Sequence, residues 1–403
     1  MPLSKKPVKK PDVTLDVTLD ANSVALGASR QYGEQLVAIG LAAGLDRAGI
    51  TSADILQRAR TALTERKALG LHNQMEFTYR NPMRSTDPTS TMASAKSVIV
   101  GARSYSTQMP DRPSPDRLVS ARVARYAWRD YYEPLRDALR AIAVQLKADG
   151  WRAIVFADGN SIVDREVAYQ AGLGWYGKNA NLLIEGAGSY FVLGSVVTDA
   201  PLVPATKLVA DGCGACRRCV DNCPTQAIVA PGVVDAHKCL AWLLQKPGVF
   251  DIAYREVLGD RLYGCDDCQE VCPPTVRHGE VQPLTSDTRA WVPVIAVLLA
   301  NDAELLQKFD PWYIADRDPK WLRRNALVIL GNVGDAKDSS THDVLVSYLS
   351  HADPILRSHA VWAAARLGLN HLLPYKDADP IVQAELDALP TPKVMINEAP
   401  ARH

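Results

Sequence analysis

Net charge is what this chain lacks: its 403 residues carry 45 Lys and Arg against 45 Asp and Glu. No overall field argues for or against nucleic acid, so any RNA or DNA contact has to come from a local patch. Long apolar runs are missing as well. None approaches the ~20 residues of a membrane span, although 47% apolar content suffices for the buried cores of two or three domains. Residues 1–10, MPLSKKPVKK, are basic and contain no apolar h-region. No signal peptide is therefore expected, and the sequence reads as a cytoplasmic protein with no membrane partner. None of the eight histidines stands at a metal-binding spacing.

Cysteine is what the chain does have, eight of them, all within residues 213–272. The first run is Cys213-x2-Cys216-x2-Cys219-x3-Cys223-Pro224 and the second is Cys265-x2-Cys268-x3-Cys272-Pro273. The C-x2-C-x2-C-x3-C-P run is a bacterial ferredoxin pattern, in which three thiolates hold one 4Fe–4S cube and the fourth crosses to another. Leu262 stands where the second run would have its first cysteine, and Cys239 is the remaining thiol that can replace it. The crossing rule assigns Cys213, Cys216, Cys219 and Cys272 to one cluster, and Cys223, Cys239, Cys265 and Cys268 to the other. Zinc and disulfides are the competing uses. Zinc ribbons pair two CxxC knuckles and have no use for a third cysteine or a terminal x3-Cys-Pro. Disulfides need an oxidising compartment. Two 4Fe–4S clusters moving single electrons are the expectation.

The fold class expected is α+β, in three parts between two tails. Residues 1–22 read as a flexible tail, 23–205 as a mixed helix and strand domain, 206–285 as the cluster module, 286–390 as a helical domain and 391–403 as a second tail. Helices are expected over 31–48 and 130–149, and strands over 97–101, 151–156 and 191–197. In the helical part, Asp318-Pro319, Asp353-Pro354 and Asp379-Pro380 each lead into a helix, with Arg323 and Ala326 matched by Arg357 and Ala360. That repeat resembles HEAT-type helical pairs, which stack into curved binding surfaces. On this basis Arg323, Arg324 and Arg357 are candidate RNA contacts. A helical cap over the cluster module is the alternative.

Gly172-Leu173-Gly174-Trp175-Tyr176-Gly177 matches GxGxxG, but a dinucleotide fingerprint needs a strand before it and a helix after it. Here the order is reversed, so the glycines are expected to let backbone approach a large ligand or a cluster. Asp158 closes the strand over 151–156. A carboxyl there, shielded by apolar neighbours, can donate a proton; it can equally cap the turn that follows. The tract from Arg122 to Tyr132 interleaves cations with aromatics, a composition that suits phosphate and base contacts and also fits an amphipathic helix start.

Together these residues resemble the epoxyqueuosine reductase family over most of residues 30–370. The resemblance rests on Arg80 with Asp87-Pro88 and residues 95–99, on Ala124-Arg125-Tyr126 with Asp130-Tyr131, on Asp158, on residues 171–179 (AGLGWYGKN), and on the cysteine frame with its isolated Cys239. It implies a nitroreductase-like cobalamin-binding domain, a ferredoxin-like module with two 4Fe–4S clusters, and HEAT-like helices. It also implies electrons entering through the clusters to reduce cobalamin, and removal of the epoxide oxygen at the tRNA wobble position to leave queuosine. The family's proton donor falls on Asp158 and its cobalamin-contacting arginine on Arg80; Asn179 and Asn181 are further cofactor candidates. The partners implied are tRNA carrying a queuosine precursor and a low-potential electron donor, ferredoxin or flavodoxin, acting on a monomer. A corrinoid reductase of a small molecule, akin to reductive dehalogenases, and a two-cluster electron carrier are the other readings.

Overall fold

The computed structural model describes residues 21–113, 119–278 and 281–389. The tail expected over 1–22 therefore falls almost wholly outside the described residues, and the tail expected over 391–403 does so entirely.

Alternating side chains build the first layer. Ser97–Ser104 is the buried centre of a four-stranded antiparallel sheet in the order Arg47–Ser52, Ser97–Ser104, Phe191–Thr198, Ala153–Ala157. Its period of two sends Val98, Val100 and Ala102 to one face and Ile99 to the other. The Ile99 face packs on the helix Tyr132–Ala148 through Leu135, Leu139, Ile142 and Leu146. The opposite face packs on the short helix Asp164–Gln170 through Val167 and Ala168. A third helix, Ala21–Ala42, crosses the first at Gly40, where a Cβ would lie 2.7 Å from Ile142 Cδ1.

The structure departs from the helix expected over 31–48. Gly44 adopts φ +109°, and Leu45 N–H returns to Gly40 C=O at 3.0 Å, closing the helix. Residues 47–52 then form a strand instead, because Ile50 is needed in the sheet opposite Ile99. The helix expected over 130–149 forms from Tyr132, with Asp130 Oδ1 accepting from the N–H groups of Tyr132 and Glu133.

A second sheet ties the chain's three parts together. Ser120–Val123 is its central strand, parallel to Arg261–Tyr263 and antiparallel to Trp291–Pro293. Nearby, the Trp312 indole donates to Ala127 C=O at 2.8 Å, across 185 residues of chain. The helices of 286–389 thus interlock with the cluster module through their core-facing side chains. Asn332 donates to Arg255 C=O and Gly259 C=O, and the buried Arg255 guanidinium pairs with Glu385 through two bonds of 2.8 and 3.0 Å. Asp353 and Asp379 cap the helices that Pro354 and Pro380 begin. Among the described residues no helix is long and apolar enough to cross a membrane.

Two thiol quartets and an acidic cleft

The cysteines fall into two groups of four. Cys213, Cys216, Cys219 and Cys272 line one cavity of ≈ 320 Å³, with Lys178, Asn179 and Arg277. Burial pushes the Cys219 thiol up, and the neighbouring sulfur charges that add to the effect are those of Cys272, Cys213 and Cys216. Cys268 is pushed up by burial first, then by Cys265, Cys239 and Cys223. The structure therefore brings together the two sets that the crossing rule proposes. Among the described residues no three His, Cys, Asp or Glu side chains converge closely enough to hold a single ion.

Second-run loops are held by arginines. Arg122 pairs with Asp267 and Glu270 at 3.2 Å each, and Arg125 pairs with Glu270 at 2.6 Å. Arg125 N–H also donates to Asp266, whose carboxyl burial pushes up to about 6 against the pull of that bond. The cation and aromatic tract starting at Arg122 thus braces the cluster module rather than facing phosphates. Acidic residues between the cysteines of the second run were the signal for this pairing.

The hairpin Gly174–Tyr176 with Leu182–Ile184 lies between the quartets. Gly174 has no room for a side chain, since a Cβ would meet Leu183 O at 2.1 Å. At the hairpin's turn Lys178 Nζ donates to Gly214 C=O and Cys216 C=O at 2.6 and 2.8 Å. Asn179 is 5% exposed and donates to Cys268 C=O at 3.4 Å, while its Oδ1 accepts from Asn181 N–H. Both asparagines shape the turn beside the clusters.

Asp158 ends the strand Ala153–Ala157 in left-handed backbone, φ +53°, a conformation that costs energy for a side chain and concentrates at functional sites. Asp158 is an exposed residue whose charge reaches Tyr132, Tyr263 and Asp164. Burial pushes it up, Arg136 opposes this and Asp130 adds to it. Asp164 is pushed well up by burial and by Asp158, and its Oδ1 is buried with no hydrogen-bond partner among the described residues. The charge of Arg165 acts on Asp164, on Tyr132 and on Cys239 alike.

Other candidates are placed elsewhere. Arg80 is exposed on a short turn, 3.8 Å from Glu76, and its contacts do not join it to Asp158. The three arginines expected to read RNA are turned inward, which corrects that expectation. Arg324 is 1% exposed and donates to the carbonyls of Leu243, Leu244, Lys246 and Gly248. Arg323 binds Asp302 and Ala300 C=O, and Arg357 binds Asp377 and the carbonyls of His351 and Ala352. At matched repeat positions they tie helices to loops.

Two thiol quartets define an iron–sulfur protein, and a 4Fe-4S double cluster binding domain matches residues 212–275. Residues 85–164 match the family described as Epoxyqueuosine reductase QueG, DUF1730. The chain is 31% identical over 348 residues to the epoxyqueuosine reductase of Bacillus cereus, covering 84% of this chain and 90% of the relative. It is 34% identical over 343 residues to that of Xanthomonas campestris pv. campestris, covering 81% and 94%. A crystal structure of epoxyqueuosine reductase with an epoxyqueuosine-modified tRNA-Tyr stem loop superposes with a TM-score of 0.80 at 29% identity, covering 89% of this chain and 97% of the other. The chain belongs to the epoxyqueuosine reductase family.

Proposed function

We propose that this chain removes the epoxide oxygen of epoxyqueuosine at the tRNA wobble position, taking up two electrons and two protons and releasing queuosine and water. The observation that carries the reading is Asp158, an acid with a raised carboxyl in strained backbone, whose charge acts on the buried, partnerless carboxyl of Asp164. The eight thiols hold two 4Fe–4S clusters, which pass electrons one at a time. Cobalamin, when bound, supplies the reduction of the carbon–oxygen bond. The residues around Asp158 fit such a cofactor. Asp164 Oδ1 is an unpartnered group for its peripheral amides, and Tyr132 and Tyr263 flank the acid. Asp158, its carboxyl raised by desolvation, delivers a proton to the departing oxygen. Arg80 from its exposed turn, and Asn179 with Asn181 from theirs, are further contacts in this reading.

Residues 23–205 then form the nitroreductase-like cobalamin and catalytic unit, 206–285 the ferredoxin-like module and 286–390 the HEAT-like unit of a cytoplasmic monomer. The electron donor is a low-potential ferredoxin or flavodoxin. Support comes from the exposed Cys216 and from the cations around it. Arg217 is paired with Asp221 at 3.2 Å, whereas Arg218 and Arg277 carry no ion pair among the described residues. Such a rim suits an acidic carrier.

The test is Asp158→Asn. It should retain iron and cobalamin yet lose turnover on epoxyqueuosine-containing stem loop by about a hundredfold or more. Turnover within a few-fold of the parent returns Asp158 to a turn-capping role. Loss of cobalamin recasts it as a cofactor ligand.

A further inference from the structure

Most indoles whose N–H is described in this chain have a partner. Trp128, Trp242, Trp291 and Trp312 each donate to a backbone carbonyl, at 2.7 to 3.2 Å. Trp175 Nε1 does not: it is buried and has no acceptor among the described residues. Trp321 shares that property, but its ring lies under the cations of Lys320 and Arg324. Trp175 packs instead in a small apolar cluster with Leu183, Cys272, Val209 and Cys213. Two of those residues belong to the first quartet.

Gly212 lies against the indole: a Cβ there would stand 2.7 Å from Trp175 Cζ2 and 3.1 Å from both Cε2 and Cη2. Gly212 itself lines the cavity of Cys213, Cys216, Cys219 and Cys272. The hairpin partner of Trp175 is Leu183, another residue of that cavity's wall. A buried donor without an acceptor is rare in folded proteins, and this one belongs to a hairpin packed against two cysteines of that cavity.

We propose that Trp175 Nε1–H donates a hydrogen bond to a sulfur of the 4Fe–4S cluster carried by Cys213, Cys216, Cys219 and Cys272, and so sets that cluster's reduction potential. The inference rests on the two-cluster reading given above. Hydrogen bonds to the sulfurs are among the protein's levers on such potentials. Reduction adds negative charge to the cube, and a donor bond to sulfur strengthens with that charge. The bond therefore favours the reduced state and raises the potential. Electrons are held more readily at the cluster with the exposed Cys216, where an external donor has access. Within the GxGxxG segment, the glycines flanking Trp175 bring the indole close enough to serve.

The experiment is a potentiometric titration of the holoprotein, followed by EPR, with Trp175→Phe beside the parent. One cluster should become about tenfold harder to reduce, a fall of 59 mV for one electron, while the other stays fixed. Replacing Trp175 with β-(3-benzothienyl)alanine, which has the indole's shape without its N–H, should give the same shift. Restored potential in that variant would overturn the proposal in favour of packing alone. The parent protein labelled with 15N at its indoles should show a 15N hyperfine coupling on one reduced cluster, and the coupling should vanish in Trp175→Phe. Full iron content with unchanged potentials and no coupling would overturn the hydrogen bond. A parent holding only one cube would instead overturn the two-cluster reading beneath it.

Discussion

Cys219 and Cys223 are a single turn apart in sequence and both buried, yet different thiols act on them: Cys219 feels the charges of Cys272, Cys213 and Cys216, while Cys223 acts on Cys239 and Cys268. The Cys-Pro step that ends the first run thus carries the chain from one group of thiols to the other. Cys239 reaches that second group from the start of the helix Leu240–Leu243.

Removing Cys239 should therefore damage one cube and spare the other. Cys239→Ala is expected to fall from about eight irons per chain to about four. Iron analysis with EPR of the reduced protein checks this; eight irons retained would reject the assignment of Cys239.

The pH profile of turnover should report the charges around Asp158. Its carboxyl is raised, so activity is present while it holds its proton and is lost as pH climbs through its titration. Asp130→Asn keeps a capping oxygen for the helix 132–148 but removes the charge that adds to the rise, and should move this alkaline limb to lower pH. Arg136→Met removes the opposing charge and should move the limb to higher pH. Limbs that coincide with the parent's in both variants would detach the profile from Asp158.

Stability should fall when Arg324 is shortened, without a change in RNA recognition by the folded fraction. Arg324→Ala strands the carbonyls of 243–248 inside the protein, a loss of about 3 kcal/mol or more. Thermal unfolding measures the first effect, and stem-loop titration of soluble variant the second. A weakened affinity at parental stability would restore Arg324 to the RNA-binding face.

Acid should unfold the helical part through His359. The ring is fully buried, accepts from Phe250 N–H at Nε2 and faces Ile355 C=O with Nδ1. Burial first, and the charge of Arg255 next, push its pKa well down, so it stays neutral in the fold. Its contribution is complete above the ordinary histidine value and is lost as pH falls below about 6.5, at up to about 1.4 kcal/mol per pH unit. His359→Gln should flatten melting temperature between pH 7 and pH 5; an unchanged slope would assign the acid sensitivity to other groups.

Sequence carried the strands, the capped helices and the cysteine frame because each has a local signature: the apolar run Val98-Ile99-Val100, an Asp-Pro start at 353, fixed thiol spacing. It carried the position of Asp158 at a strand end for the same reason. The inward arginines were illegible, because Arg is seldom fully buried and only carbonyls some 80 residues upstream give Arg324 a reason to turn in. The sequence also hid the helix stop at Gly44, whose left-handed conformation follows from the demand of the sheet for Ile50. The partnerless groups of Asp164 and Trp175 are visible only once their surroundings are known.

The strand Ser120–Val123 is made early by the ribosome and completed late. Its neighbours at 261–263 and 291–293, and the indole of Trp312 that reaches Ala127, emerge after up to 185 further residues. At translation rates of about 5–20 residues per second that is a wait of roughly 10–40 s. All eight thiols leave the exit tunnel before the last strand of this sheet does. The nascent chain therefore offers its iron ligands while one side of the cluster module is still open, and synthesis of the C-terminal helices closes the door behind the metal.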